Sequence, residues 1–340
     1  MSAIGPAGRA GRPTVELGRG GPAVGVQGLG CTGMSLTPGH IDRSTVRATL
    51  ERALDRGVTL FDTADVYGAG ANEELLAPFV RAHRDEVVVA TKFGIAPDPF
   101  DPARRIVRGD RAYVRSRVEG SLRRLNTDRL DLFSLHGRDP SVPIEETVGA
   151  MAELVAEGKV AHLGLSEPTA PDVRAAAAVH PIAAVQCAWS LFDRAVEDDI
   201  VPAARETGAA LVPSAPLGGG FLARMLRAEE DELHPGDLRR VLPRYAGEPA
   251  RSNQALLSPL RHVARRHAAA LPQIALAWVH HRAPAHGLPV VPLPGTRRPH
   301  RVDENTAAAR ITLTPGDLCL LEPLASQTVA PHHPEPALAV

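Results

Sequence analysis

Gly57-Val-Thr-Leu-Phe-Asp62-Thr-Ala-Asp-Val-Tyr67-Gly68 joins the end of one helix-periodic stretch to a short apolar run, a carboxylate and a phenol. The stretch before it, Ser44–Arg56, repeats its apolar residues at helical spacing, and Gly57 closes it as a left-handed C-terminal cap does. Gly158 and Gly208 likewise end helix-periodic stretches directly before apolar runs. The same unit therefore repeats. Strands are expected at Val24–Gly30, Thr59–Asp62, Val87–Thr91, Leu130–Leu135, Val160–Leu165, Ala184–Ala188, Ala210–Ser214 and Pro289–Leu293. Helices are expected between them at Ser44–Arg56, Asn72–Arg81, Asp110–Arg124, Pro143–Glu157, Ala170–His180 and Val196–Thr207, with one or two more over Arg251–Arg282.

Runs that are apolar throughout, rather than alternating, belong to a parallel sheet covered on both faces. Eight of them with no second compositional regime predict an α/β chain folded as one (β/α)8 TIM barrel over residues 14–328. Val15–Val24, with Gly18, Gly20 and Gly21, reads as an N-terminal β-hairpin that plugs the bottom of the barrel. Arg301–Arg310 and Pro315–Ala325 read as additional C-terminal helices, and Leu217–Pro249 as a long excursion after the seventh strand. Residues 1–13 and 329–340 are expected to be flexible ends. Ser44, Ser141 and Thr314 are the expected N-caps, the last followed by Pro315 at the first helical position.

Bulk properties narrow the function classes. A net charge of −1 recruits neither nucleic acid nor an anionic membrane. Cys31, Cys187 and Cys319 offer neither a disulfide framework nor a metal-ligand spacing. Met1–Thr14 lacks the apolar core of a signal peptide, so a cytoplasmic protein is expected. Gly28-Leu-Gly30-Cys-Thr-Gly33 matches a dinucleotide fingerprint literally, but Pro38-Gly39 forbids the helix that should follow it. It reads instead as the loop after the first barrel strand, with Gly30 and Gly33 placed for close backbone approach to a ligand. No H-E-x-x-H, C-x-x-C or G-x-S-x-G is present, and no metal is expected.

Four side chains stand at the ends of different runs: Asp62 and Tyr67, Lys92 after Val87-Val-Val-Ala-Thr91, and His136 after Leu130-Asp-Leu-Phe-Ser-Leu135. Of 38 basic residues only Lys92 and Lys159 are lysine, and an ammonium is the more tunable cation. Taken singly, Asp62 and Tyr67 read as loop caps and His136 as a satisfied core histidine. Together at convergent strand ends they read as an acid–base site.

These stretches, together with Asn72-Glu-Glu-Leu-Leu76, Thr91-Lys92-Phe-Gly94, Val160-Ala-His-Leu-Gly164-Leu-Ser166, Ala215-Pro-Leu-Gly-Gly-Gly-Phe221 and Pro294-Gly-Thr-Arg-Arg298, closely resemble the signatures of the aldo-keto reductases. The resemblance implies a (β/α)8 barrel that uses NADPH to reduce an aldehyde or ketone, with Asp62, Tyr67, Lys92 and His136 catalytic. It implies that Tyr67 is the proton donor, its pKa lowered by Lys92, which Asp62 holds. It also implies NADP contacts at Gly33, Met34, Ser166, Gln186, Ser214, Leu217, Gly218, Gly220, Thr296, Arg297, Arg301, Glu304 and Asn305. The Gly218–Gly220 segment would expose backbone N–H groups to the pyrophosphate, and the arginines would favour NADP over NAD.

Departures from the family pattern are Glu167, where many relatives carry Asn, and Ser214, where many place an aromatic ring on the nicotinamide. Trp189 is a candidate to supply that ring. Gly219 and Met225 replace a frequent Arg and Lys. Two other functions stay open: a non-catalytic NADP-binding regulatory or redox-sensing subunit, and a biosynthetic reductase of a keto-sugar or enone. The expected partner is a small carbonyl substrate, and the oligomeric state stays open.

Overall fold

The first strands of the chain do not belong to the barrel. In the computed structural model, which describes residues 5–8, 12–35, 42–97, 105–223, 243–245 and 247–330, β1 (Gly5–Gly8), β2 (Arg12–Glu16) and β3 (Ala23–Gly25) form a separate antiparallel sheet. β2 and β3 pair Thr14 with Gly25 and Glu16 with Ala23 across the expected hairpin. Its tip presses on the barrel: a Cβ on Gly18 (φ 76°) would lie 2.3 Å from the Ala183 carbonyl oxygen. Leu17 and Val24 pack in one cluster with Leu60, Ala90, Leu132, Ala184, Val212 and Val291, which point into the barrel. The hairpin is thus the barrel's floor.

The barrel then builds in chain order: β4 (Leu29–Gly30), α1 (Arg43–Asp55), β5 (Leu60–Asp62), α2 (Ala71–Ala82), β6 (Val88–Phe93), a small ribbon of β7 (Ile95–Pro97) and β8 (Arg105–Val107), α3 (Arg111–Leu125) and β9 (Leu130–Leu135). α4 (Ile144–Ala156), β10 (Val160–Ser166), α5 (Ala170–Val179), β11 (Ile182–Ala188), α6 (Ile200–Thr207) and β12 (Ala210–Ser214) follow. The named strands run in parallel in the order β4-β5-β6-β9-β10-β11-β12. Residues 289–295 close the ring. Val290 bridges Leu211 on one side and Gly295 bridges Gly30 on the other. Pro289, Pro292 and Pro294 have no N–H to give, so this eighth strand bonds at alternate points instead of forming a ladder. The fold is a (β/α)8 barrel.

Several boundaries differ from expectation. The run Val24–Gly30 divides between β3 of the floor and β4 of the barrel, because a continuous apolar run carries no mark of a change of sheet. Asp42, not Ser44, caps α1, accepting the Ser44 N–H and hydroxyl at 2.9 and 2.7 Å. Asp139 takes the Ser141 N–H and hydroxyl, and α4 starts after Pro143. Asp199 begins α6 at Ile200, later than expected. Thr314 does cap its helix, in a reciprocal box with Asp317.

Beyond the seventh strand lie α7 (Gly247–Ala255), α8 (Leu257–Arg266) and α9 (Leu271–His286), three helices where one or two were expected. α10 (Pro299–Ala307), α11 (Pro315–Leu321) and α12 (Leu324–Gln327) end the described chain. Met225 and residues 331–340 lie outside the described residues. No described helix is long and apolar enough to cross a membrane.

Candidate active site

Parallel strands put all their C-terminal ends on one rim, and β5, β6 and β9 deliver Asp62, Lys92 and His136 there. Tyr67 reaches the same place through a tight turn. Gly68, Ala69 and Gly70 all take positive φ (59°, 53° and 94°), and this coil starts α2 while holding the phenol over the barrel. The connection before it is stitched to β6: Thr63 N–H donates to Ala90 and Asp65 N–H to Lys92. Asn72, fully buried, ties the loops after β4 and β5 by donating to the Cys31 carbonyl and the Ser35 hydroxyl and accepting from Thr63.

The four side chains meet. Lys92 Nζ donates to Asp62 Oδ1 and Oδ2 at 2.8 and 2.7 Å and to the Thr63 carbonyl at 2.7 Å. It also lies 5.2 Å from the Tyr67 ring centroid, where its charge favours the ionised phenol. Thr32 lowers the phenol's pKa from the loop after β4. The His136 ring stands edge-on to Tyr67, at 5.8 Å between centroids, and its Nδ1 is buried without a hydrogen-bond partner.

Burial sets the protonation states. It pushes the Tyr67 phenol above its ordinary pKa, outweighing the pull of Lys92 in the other direction. Lys92 does pull the phenol down, but burial raises it more, and the depth of the ring is not evident from the resemblance that names the cation. Burial disfavours the Lys92 ammonium, yet Asp62 and Tyr67 overcome this and hold its pKa above the usual value. Burial, followed by Lys92, drives His136 down to about 3. The site thus holds a protonated phenol, a charged ammonium and a neutral imidazole.

A second polar cluster adjoins it. Ser166 ends β10 and donates to Gln186 of β11 at 3.3 Å, and Gln186 Nε2 donates to Asp62 Oδ1 at 3.2 Å. A model of the aldo/keto reductase family matches residues 28–324. The chain belongs to that family.

Solved aldo-keto reductases and a related dehydrogenase resemble it over most of their length. A glycerol dehydrogenase from Gluconobacter oxydans is 27% identical, with a TM-score of 0.79 over 93% of this chain and 96% of its own. An aldo-keto reductase from Klebsiella pneumoniae in complex with NADPH is also 27% identical, with a TM-score of 0.69 over 89% and 92%. A thermostable aldo-keto reductase in complex with epalrestat is 28% identical, with a TM-score of 0.71 over 92% and 99%. Family membership makes this chain an oxidoreductase of the carbonyl-reducing kind.

The remaining expected contacts of this aldo-keto reductase are placed unevenly. Gly33 is exposed, and a Cβ placed on it would meet nothing within 4 Å, while Met34 buries its side chain against the core. The close approach at Gly30 is to Leu293 and Gly295 of the barrel's own closing strand. Ser214 ends β12, on the same rim. After it, the N–H groups of Gly218 and Gly220 donate to the Ala215 and Leu217 carbonyls, so the turn uses those two groups itself. Thr296 accepts the Arg298 N–H, Arg297 is exposed, and Arg301 pairs with Glu304 at 2.7 and 2.8 Å. Asn305 is buried on α10. Trp189 does not supply a ring to the rim: it is fully buried against His286 and donates to Glu197.

Two site residues escaped the sequence reading. Asp65, inside the Asp62–Tyr67 connection, is buried with neither carboxylate oxygen hydrogen-bonded in good geometry; burial, then Glu73, pushes it up to about 7. Thr32 acts on the phenol's pKa. Asp65 had a signal, an acid in a turn flanked by apolar residues, but nothing in the sequence shows that α3 covers it.

Proposed function

We propose that this aldo-keto reductase is an NADPH-dependent reductase of aldehydes or ketones in which Tyr67 is the general acid. The observation that carries the proposal is the placement of Lys92 Nζ 5.2 Å from the Tyr67 ring centroid, with the ammonium itself held on both oxygens of Asp62.

The rim suits a nicotinamide coenzyme. Ser166 and Gln186, nearly buried beside Asp62, offer a hydroxyl and an amide to a carboxamide, and exposed Arg297 offers a guanidinium to a phosphate. When bound, such a coenzyme supplies the hydride. The protein's own work is with protons and charge. A carbonyl oxygen gaining negative charge takes the proton from Tyr67 Oη, for which its protonated state in the buried site is the required starting point. Lys92 Nζ then steadies the phenolate, so its charge matters most in the transition state, while Asp62 keeps the ammonium in register. His136, neutral near physiological pH, orients the carbonyl oxygen by a hydrogen bond. A coenzyme-binding subunit without turnover would need none of this proton machinery.

The test is loss of NADPH absorbance with a panel of short aldehydes, ketones, keto-sugars and enones. Turnover is expected, faster with NADPH than with NADH. Tight NADPH binding with no consumption across the panel would overturn the catalytic reading in favour of a regulatory one.

A further inference from the structure

Glu167 carries a carboxylate on the catalytic rim with no cation paired to it among the described residues. Its Oε1 accepts the Ala188 N–H at 3.0 Å and the Ser214 hydroxyl at 3.4 Å, fastening it across the ends of β10, β11 and β12. It directly follows Ser166, which is linked through Gln186 to Asp62. Its backbone is left-handed, φ 50°, a conformation that costs a non-glycine residue energy and persists where surroundings enforce it. Charged and titratable neighbours among the described residues do not compensate it. Asp193, from the segment after β11, repels it and is itself taken by Arg244, and Cys187 on β11 is a buried thiol whose own pKa is raised. Burial of the carboxyl group pushes its pKa up to about 6, although much of the residue faces solvent.

A fixed, uncompensated anion calls for a cation. In the reaction proposed above, on which this inference rests, one component of the rim gains positive charge. Loss of hydride turns the neutral dihydronicotinamide ring into a pyridinium, as the carbonyl takes that hydride and the Tyr67 proton to become an alcohol. We infer that Glu167, held by Ala188 and Ser214, is a specificity determinant that makes the site prefer the oxidised, cationic nicotinamide over the reduced, neutral one. The substitution of a small hydroxyl at Ser214 serves this arrangement, because its Oγ is one of the two donors that aim the carboxylate. The consequence is a bias toward hydride donation by the bound coenzyme, with tighter retention of its oxidised form.

The experiment compares dissociation constants of NADP+ and NADPH by titration calorimetry for the parent and for Glu167→Gln. The preference for NADP+ over NADPH should fall on the order of tenfold in Glu167→Gln at about pH 8, the discount from a bare charge pair reflecting solvent exposure. In the parent the same preference should fade between about pH 8 and about pH 5, through the carboxyl's titration, whereas in Glu167→Gln it should stay flat. The coenzyme's 2′-phosphate titrates in both forms and cancels from the ratio. Should Glu167→Gln not fold, Ser214→Ala, which frees the carboxylate from one donor, should lose part of the preference. Binding of both forms with a ratio unmoved by substitution and pH overturns the inference and leaves the reductase reading standing. Binding of neither form by the folded parent removes that reading and the inference together.

Discussion

Gln186 and Lys92 donate to the same oxygen, Asp62 Oδ1, at 3.2 and 2.8 Å. The amide proposed to meet the coenzyme and the ammonium proposed to tune the acid are therefore joined by two hydrogen bonds through a single carboxylate oxygen. Asp62 is 6% exposed and Lys92 1%, so neither charge has water to fall back on.

Removing one partner should accordingly be severe. Asp62→Asn leaves a buried ammonium without its counter-ion and should lose about 3–5 kcal/mol of stability, together with nearly all turnover. The double variant Asp62→Asn/Lys92→Met removes both charges and should recover much of the stability but none of the activity. Urea unfolding of the three proteins decides it; parent-like stability in Asp62→Asn would mean that the pair does not anchor the rim.

Asp65 makes a pH prediction with a definite sign. Its folded-state pKa, near 7, lies above the ordinary carboxylate value, so the native state keeps a proton that the unfolded chain releases. The stability this contributes is full below about pH 4 and is lost as pH rises toward 7, at up to about 1.4 kcal/mol per unit. Asp65→Asn should flatten that slope and be more stable than the parent at about pH 8. His136 acts oppositely: held near 3, it contributes stability that is lost as pH falls below the ordinary histidine pKa. The difference between variant and parent melting curves isolates Asp65, and identical pH slopes would refute its role.

Arg297 is an exposed guanidinium on the loop that follows the bridge between Gly295 and Gly30. Arg297→Ala should weaken NADPH binding by roughly 10–100-fold, the worth of a charged hydrogen bond, and leave NADH binding almost unchanged. Equal loss for both coenzymes would place the phosphate contact elsewhere, for instance on Arg301, whose pairing with Glu304 would then have to open.

Much of the fold was readable because each barrel unit carries its own punctuation. Gly57, Gly158 and Gly208 do take left-handed φ, and the apolar runs after them are β5, β10 and β12. Pro289–Leu293 was legible as the closing strand even though its prolines break the ladder, since its length and apolar content survive them. What failed depended on the third dimension. Ser44 and Asp42 are both good caps two positions apart, and only the path into α1 selects Asp42. Trp189 follows a rim strand in sequence, but Glu197 draws its indole N–H into the core. The neighbour that tunes Tyr67 was evident in the pattern, whereas the depth of burial that reverses the net shift was not.

In the proposed reaction the proton comes from the Tyr67 hydroxyl. Steady-state turnover of Tyr67→Phe, measured beside its NADPH dissociation constant, should show kcat down by roughly 10²–10⁴-fold with coenzyme affinity within a few-fold of the parent. A Phe variant that reduces the best carbonyl substrate at the parent rate would show that the proton comes from another group.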